Sequence, residues 1–104
     1  MQRALMAATT IVVALMSGSV LGQGSISAGK AKALVCRGCH GVDGNSTNPL
    51  SPKLAGQHAI YLAKALRDFR SGARKNSVMS AMAKPLSDDD IANLAAYYAA
   101  QSPK

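Results

Sequence analysis

The five residues Cys36–His40 constrain this chain more than any other stretch. They read C-R-G-C-H and contain both cysteines of the 104-residue sequence and one of its two histidines. Two thiols three positions apart, followed at once by an imidazole, occur in proteins as a redox dithiol, as part of a zinc site or as a haem attachment point. The rest of the sequence has to distinguish between these three uses.

The surrounding sequence favours haem attachment. A thioredoxin-like dithiol needs a βαβ context, and no strand pattern is visible here. A disulfide between these cysteines would close too small a loop to restrict the unfolded chain much. A structural zinc site needs four ligands, and this weaker alternative would use every cysteine and histidine of the chain: Cys36, Cys39, His40 and His58. C-x-x-C-H is the sequence of c-type haem attachment, so we expect each thiol to bind one vinyl group of a single haem c and the histidine to bind iron.

The N-terminus has the pattern of a secretory signal peptide. A basic head over residues 1–3 precedes an apolar run over 4–16 and a small-residue stretch over 17–22. The apolar run is shorter than the roughly 20 residues that a spanning helix needs. We predict cleavage after Gly22, which gives a signal peptide over 1–22 and one domain over 23–104. The protein would then be periplasmic, with no integral membrane segment after processing.

The domain is predicted to be all-α, with three helices and long irregular connections. The last helix has the strongest start signal, because Ser87 opens an S-x-x-D capping pattern. Gly72 stands where the C-cap of the middle helix belongs. The predicted helices are Ser27–Cys39, Ala59–Ser71 and the stretch from Ser87 to before Pro103, and the predicted connections are Gly41–Gly56 and Gly72–Leu86.

The predicted domain has little material for a core of its own. Alanine supplies much of its apolar content, tryptophan is absent, and its aromatic residues are Tyr61, Phe69, Tyr97 and Tyr98. Domains of this size often depend on a disulfide, a metal or another covalent link. A large apolar cofactor would complete such a core.

The sixth ligand of a haem iron is predicted to be a methionine. Only Met79 and Met82 lie outside the predicted signal peptide, and both fall in the predicted loop before the last helix. Core methionines usually fill gaps on helix faces, so two in a loop favour a thioether ligand. His–Met ligation raises the potential of electron-transfer cytochromes. His58 is the competing ligand, and an open sixth position would instead indicate a haem-based small-ligand binder or sensor.

Four segments of the chain resemble the class I bacterial cytochromes c. They read CRGCHGVDGNS, SPKLAGQ, YLAKALRDFRSGAR and MSAMAKPLSDDDIANLAAYYAAQ, in that order. The chain is most similar to a single-haem relative of one half of the two-haem cytochrome c4 group, of the cytochrome c-553 type. This resemblance implies a small fold of three to five helices wrapped around one covalently bound haem.

The resemblance also implies the residues of the haem site. Cys36 and Cys39 match the family's thioether positions, and His40 matches the proximal iron ligand. Met79 falls where the distal ligand of the family lies. Met82 matches a commonly apolar position near the ring and is the alternative ligand.

Further positions take supporting roles by the same resemblance. Pro52 corresponds to a proline whose carbonyl accepts the Nδ1 proton of the haem-ligating histidine. Leu54 would cover the haem face. Gly29 matches the small residue at which the first and last helices cross, where Tyr97 or Leu94 would pack against it.

Composition and resemblance together predict an electron-transfer protein and not an enzyme. The net charge is +7, from twelve Lys and Arg against five Asp, yet no Lys/Arg run exceeds two residues, so no nucleic-acid partner is expected. We expect redox protein partners with an acidic docking face. A cytochrome subunit of a dehydrogenase or oxidase complex is a further alternative. The candidate residues for a basic docking rim are Arg37, Lys53, Lys64, Lys75 and Lys84.

Overall fold

The computed structural model describes residues 2–13 and 24–104, and within these ranges the chain contains helices and no strands. The all-α prediction is therefore confirmed. The helices are α1 (Ile26–Lys32), α2 (Arg37–His40), α3 (Ala59–Ser71), α4 (Ser77–Ala83) and α5 (Asp88–Ala99), with a 3₁₀ turn at Ala33–Cys36 between the first two.

The predicted signal peptide over 1–22 lies partly outside the described residues, and the cleavage site predicted after Gly22 lies outside them as well. Residues 2–13 form no helix or strand. The division into 1–22 and 23–104 therefore stays a prediction. Among the residues that the structure describes, no helix combines the length and the hydropathy needed to cross a membrane.

The first predicted helix is broken into three short pieces. Ser25 caps α1 by accepting a hydrogen bond from the N–H of Ala28 through its side chain. The chain then tightens into the 3₁₀ turn, a conformation that commonly connects short helical segments. The last piece, α2, ends at Gly41, whose φ of +84° suits glycine. The final helical residue of the last piece is therefore His40, the histidine of the C-x-x-C-H motif.

The predicted loop between residues 72 and 86 contains a helix, so that part of the sequence interpretation is wrong. Met79 and Met82 both lie on α4. The helix forms because the Asn76 side chain caps it, accepting hydrogen bonds from the N–H groups of Val78 and Met79 at 3.0 and 2.9 Å. Because neither methionine lies in a loop, their loop location no longer supports either as the iron ligand. Their positions relative to His40 have to distinguish between them.

The start of α5 is fixed by a complete capping box, as predicted. The Ser87 hydroxyl accepts from the N–H of Asp90, and the Asp90 carboxylate accepts from the N–H of Ser87, both at 3.0 Å. Arg70 of α3 also binds at the start of α5, where it donates to the Leu86 carbonyl at 3.0 Å and to the Asp88 carboxylate at 2.7 Å. These contacts hold the end of α3 against the start of α5.

Helices α1 and α5 cross at Gly29, and the predicted close approach is confirmed. A Cβ at this position would lie 2.0 Å from the Asn93 carbonyl oxygen and 2.7 Å from the Cβ of Tyr97. Of the two predicted neighbours, Tyr97 is therefore the one that packs there. The buried cluster below the crossing consists of Ala33, Leu62, Leu94, Ala95, Tyr97 and Tyr98.

Substitution of Gly29 by alanine tests this crossing. We expect G29A to lower the free energy of unfolding of the haem-loaded protein by about 3 kcal/mol, the upper end for an overpacked site, because the obstructing atoms belong to the backbone. Urea denaturation followed by far-UV circular dichroism measures the change. Gly38 is the control, since nothing lies within 4 Å of its added Cβ. G38A should leave stability unchanged or raise it by about 0.5–1 kcal/mol, and equal effects of the two variants would contradict the account.

Candidate haem-binding site

A cavity of about 570 Å³ lies beside the buried cluster. Helices α3 and α5, the C-x-x-C-H segment, the loop that follows it and α4 all contribute to its wall. The wall is mainly apolar, and much of it is formed by Leu54, Leu62, Ala65, Leu66, Phe69, Leu94 and Ala95. The apolar faces of α3 and α5 therefore cover a cavity as well as each other.

His40 lies in this wall with its ring almost fully buried, at 6% exposure. Its Nδ1 lies 2.8 Å from the carbonyl oxygen of Pro52. A carbonyl accepts only, so Nδ1 carries the proton and donates. The proton on Nδ1 leaves Nε2 with a free lone pair, and such a bond also fixes the ring orientation of metal-binding histidines. The imidazole is thus prepared to bind a metal through Nε2.

The loop that supplies the Pro52 carbonyl is itself fixed to the cysteine motif. The buried Ser46 hydroxyl lies 3.1 Å from the Cys39 carbonyl and 3.2 Å from the Asn48 carbonyl, and accepts from the Asn48 N–H at 3.1 Å. The Gly44 carbonyl accepts from the N–H of Leu54 at 2.8 Å. The histidine and its acceptor are therefore held in one connected network.

The two cysteines have free thiols and different surroundings. Cys39 is exposed and lies at the cavity wall, whereas Cys36 is half-buried and packs against the core cluster. Burial raises the pKa of the Cys36 thiol. The Tyr98 hydroxyl is buried nearby without a hydrogen-bond partner among the described residues, and burial raises its pKa also. Both thiols thus lie at or beside the cavity.

The candidate sixth ligands occupy different places. Met79 is half-buried on α4 and lines the cavity. Met82, on the same helix, is 38% exposed and is not part of the wall. His58 is exposed at the start of α3 and is also outside the wall. The cavity therefore brings Met79 together with His40 and leaves the other two candidates outside.

The zinc alternative finds no support in this geometry. Within residues 2–13 and 24–104, no three side chains of His, Cys, Asp or Glu lie close enough together to hold a metal ion. The four candidate zinc ligands Cys36, Cys39, His40 and His58 thus do not converge. The βαβ context of a thioredoxin-like dithiol is likewise missing from the described part of the chain.

A covalently bound haem fits the residues present. Two free thiols lie at or beside a cavity lined by apolar side chains, and a buried imidazole presents Nε2 for iron. A thioether sulfur, from Met79, lies in the same wall. Fold and site together define a small all-α haem protein of the c type.

Comparison with known proteins gives the family. The model of the cytochrome c family, described as "Cytochrome c", matches residues 26–100. This chain belongs to the cytochrome c family, and its cofactor is covalently bound haem c.

Two similar proteins differ in how much of their length this chain matches. The chain is 46% identical over 86 residues to cytochrome c4 of Pseudomonas aeruginosa, a match that covers 83% of this chain and 43% of that protein. It is 44% identical over 81 residues to cytochrome c-554(548) of Halomonas halodenitrificans, covering 75% of this chain and 98% of that one. The chain thus spans less than half of the first relative and almost all of the second.

A solved structure agrees with the fold. The reduced recombinant cytochrome c4 from Pseudomonas stutzeri superimposes with a TM-score of 0.74 at 44% sequence identity. The match covers 78% of this chain and 47% of that structure. The resemblance inferred from the sequence, to one half of a cytochrome c4, is confirmed.

Sequence reasoning missed several residues of the site. Ser46 and Arg74 had no local pattern that would distinguish them from surface loop residues. Tyr61 and Phe69 were noted only as aromatic residues of the domain, although spacings of four and eight residues on α3 place them, with Ala65, along one wall. That stripe was the available signal for a cavity wall.

Loss of the Ser46 hydroxyl tests the network around the loop. We expect S46A to lower the free energy of unfolding by about 1–3 kcal/mol, because the N–H of Asn48 and two carbonyls would lose their partly buried hydrogen-bond partner. Thermal unfolding of the holoprotein measures the loss. The neighbouring Thr47 is exposed, so T47A is the control and should change stability by less than about 0.5 kcal/mol. A neutral S46A would show that the loop is held by other contacts.

Proposed function

We propose that this chain is a periplasmic one-electron carrier. Cys36 and Cys39 would form the two thioether bonds to one haem c, and His40 and Met79 would bind its iron from opposite faces. The observation that carries the proposal is the position of the candidate ligands: within the described residues, the cavity wall includes His40 and Met79 but neither His58 nor Met82. The wall also includes Pro52 and Leu54, which would take the orienting and covering roles expected of them.

The chain supplies rigid ligands for this function. When bound, haem provides the one-electron couple between Fe(III) and Fe(II). The Pro52 carbonyl holds the proton of His40 on Nδ1 and so keeps Nε2 directed to the metal. Met79 is held by the cap on α4, since its own N–H is bonded to the side chain of Asn76. Ligands that stay in place in both redox states keep the structural change on electron transfer small.

The apolar wall sets the electrostatic environment. Leu54, Leu94 and their neighbours would exclude water from a bound haem, and a dry environment disfavours the extra positive charge of Fe(III). Methionine ligation acts in the same direction. The site is therefore built for a comparatively high reduction potential. An iron with both axial positions occupied leaves no site for a substrate, so we propose no enzymatic reaction.

The partner of such a carrier is a second redox protein. The net charge of +7 favours an acidic docking surface on that partner. Of the predicted rim residues, Lys53 lines the cavity. Lys75 and Lys84 are exposed, and both are close to Met79 in the sequence. Lys64 is exposed but pairs with an aspartate of its own helix, and Arg37 is half-buried. Steering by these charges would weaken as salt is added.

Association with a dehydrogenase is a second form of the same function. Similar chains include one named the cytochrome subunit of sulfide dehydrogenase, from Chlorobaculum tepidum. The haem site would be the same in both cases, and only the lifetime of the complex would differ. Co-purification of a stoichiometric partner from the native host would identify the subunit form.

Absorption spectra of the oxidised holoprotein test the axial ligands. We expect a weak far-red band, typical of methionine sulfur bound to ferric haem, in the wild type and in Met82→Ala, and no such band in Met79→Ala. The reason is that, of the methionines in the described part of the chain, Met79 alone lines the cavity together with His40. Met82→Ala is the matched control, because it removes the same side chain from the same helix.

Carbon monoxide binding to the reduced proteins completes the test. The wild type and Met82→Ala should bind it poorly, and Met79→Ala should bind it readily. A wild type that lacks the far-red band and binds carbon monoxide at once would contradict the electron-carrier proposal. The haem-based small-ligand binder with an open sixth position would then take its place.

A further inference from the structure

The cavity wall carries uncompensated positive charge. Apart from the imidazole of His40, its ionisable side chains with a permanent positive charge are Lys53 and Arg74, and no aspartate of the described chain belongs to it. Haem has two propionate groups, which are carboxylates at neutral pH. The wall thus offers cations, and no anions, to a ligand that carries two negative charges.

The two cations are engaged to different degrees. The ammonium of Lys53 donates to the backbone carbonyl of Lys104 at 3.2 Å. Arg74 has only a long contact, 3.5 Å, from Nη1 to the Tyr61 hydroxyl. The four ion pairs between described residues, Lys32–Asp90, Lys64–Asp68, Arg70–Asp88 and Lys104–Asp43, include neither Lys53 nor Arg74. Arg74 is the less engaged of the two wall cations, because the long contact to Tyr61 is the one hydrogen bond of its guanidinium among these residues.

The guanidinium of Arg74 is nevertheless held in position. After the turn at Gly72, the N–H of Arg74 donates to the Asp68 carbonyl at 3.0 Å, which folds the chain back along α3. The guanidinium carbon then lies 4.6 Å from the centroid of the Phe69 ring. Such stacking fixes the side chain and leaves its N–H edges available for a planar, bidentate acceptor.

We propose that Arg74 is a positioning residue that pairs with a haem propionate and raises the reduction potential. The inference rests on the proposed function. The thioether bonds fix the vinyl side of the porphyrin at the cysteine segment, and the propionates leave the macrocycle on the other side. Arg74 lies in the part of the cavity wall that α3 and the turn after it form, and the cysteine segment belongs to another part of the wall. An unpaired propionate so near the iron would stabilise Fe(III), and its pairing with arginine removes that effect.

Redox titration of the holoprotein tests the charge. We expect Arg74→Gln to shift the Fe(III)/Fe(II) ratio at a fixed ambient potential about tenfold toward Fe(III), which equals about 60 mV for one electron. Arg67 is the control, since it is an exposed arginine of α3 outside the cavity wall. Arg67→Gln removes the same charge with the same substitution and should shift the ratio less than about twofold.

Infrared spectra of protein carrying haem labelled with ¹³C at the propionate carboxyl carbons test the pairing itself. We expect a labelled carboxylate band to move in Arg74→Gln and to stay in place in Arg67→Gln. Arg74→Lys keeps the charge but lacks the planar fork, so the band should move although the potential changes less. This third variant decides the question if the glutamine variant yields no holoprotein.

The outcomes separate the two proposals. Equal potential shifts in the two glutamine variants, with an unmoved labelled band, would overturn the role of Arg74 and leave the electron-carrier proposal intact. A wild type without a reversible one-electron couple would contradict the electron-carrier proposal. The infrared measurement needs only bound haem, so in that case it would still support or overturn the pairing.

Discussion

The fold depends on a cavity that the polypeptide does not fill by itself. The cavity beside the buried cluster has a volume of about 570 Å³. Among the described residues, the buried apolar positions include three alanines, Ala33, Ala83 and Ala95. The largest fully buried side chain among them is that of Ile91. Apolar burial is the main favourable term in folding, and here much of it is available only against the haem. The covalent bonds at Cys36 and Cys39 make that contact permanent.

The proposed ligands come from separate elements on the cavity wall. His40 ends α2, whereas Met79 lies on α4, which packs against α3. The bond from His40 to Pro52 fixes one side, and the Asn76 cap fixes the other. Helix α5, anchored at Gly29 and at its capping box, supports the cavity from behind. The scaffold would thus hold the iron of a bound haem through two restrained residues, the proposed ligands His40 and Met79.

Features that a motif or the resemblance carries could be predicted from the sequence, and features that depend on one cap or on how a loop folds back could not. The C-x-x-C-H motif, the Ser87 cap and the Gly29 crossing each follow from spacing or from resemblance, and the structure agrees with them. The helix at residues 77–83 was missed, because its start depends on one asparagine cap and it is only seven residues long. Ser46 and Arg74 were missed for another reason: their partners, the Cys39 carbonyl and the Phe69 ring, become neighbours only after folding. The preference for Met79 over Met82 came from the resemblance, and the position of Met79 in the cavity wall supports it.

The most direct test is a carbon–proton correlation spectrum of the reduced holoprotein labelled at the methionine methyl carbons. Within residues 24–104 the chain has two methionines. A methyl group bound to iron through its sulfur lies directly over the porphyrin, so the ring current moves its signal far upfield. The account predicts one shifted and one ordinary signal, with the shifted one retained in Met82→Leu and lost in Met79→Leu. Two ordinary signals in the wild type, or a shifted signal that Met82→Leu removes, would contradict it.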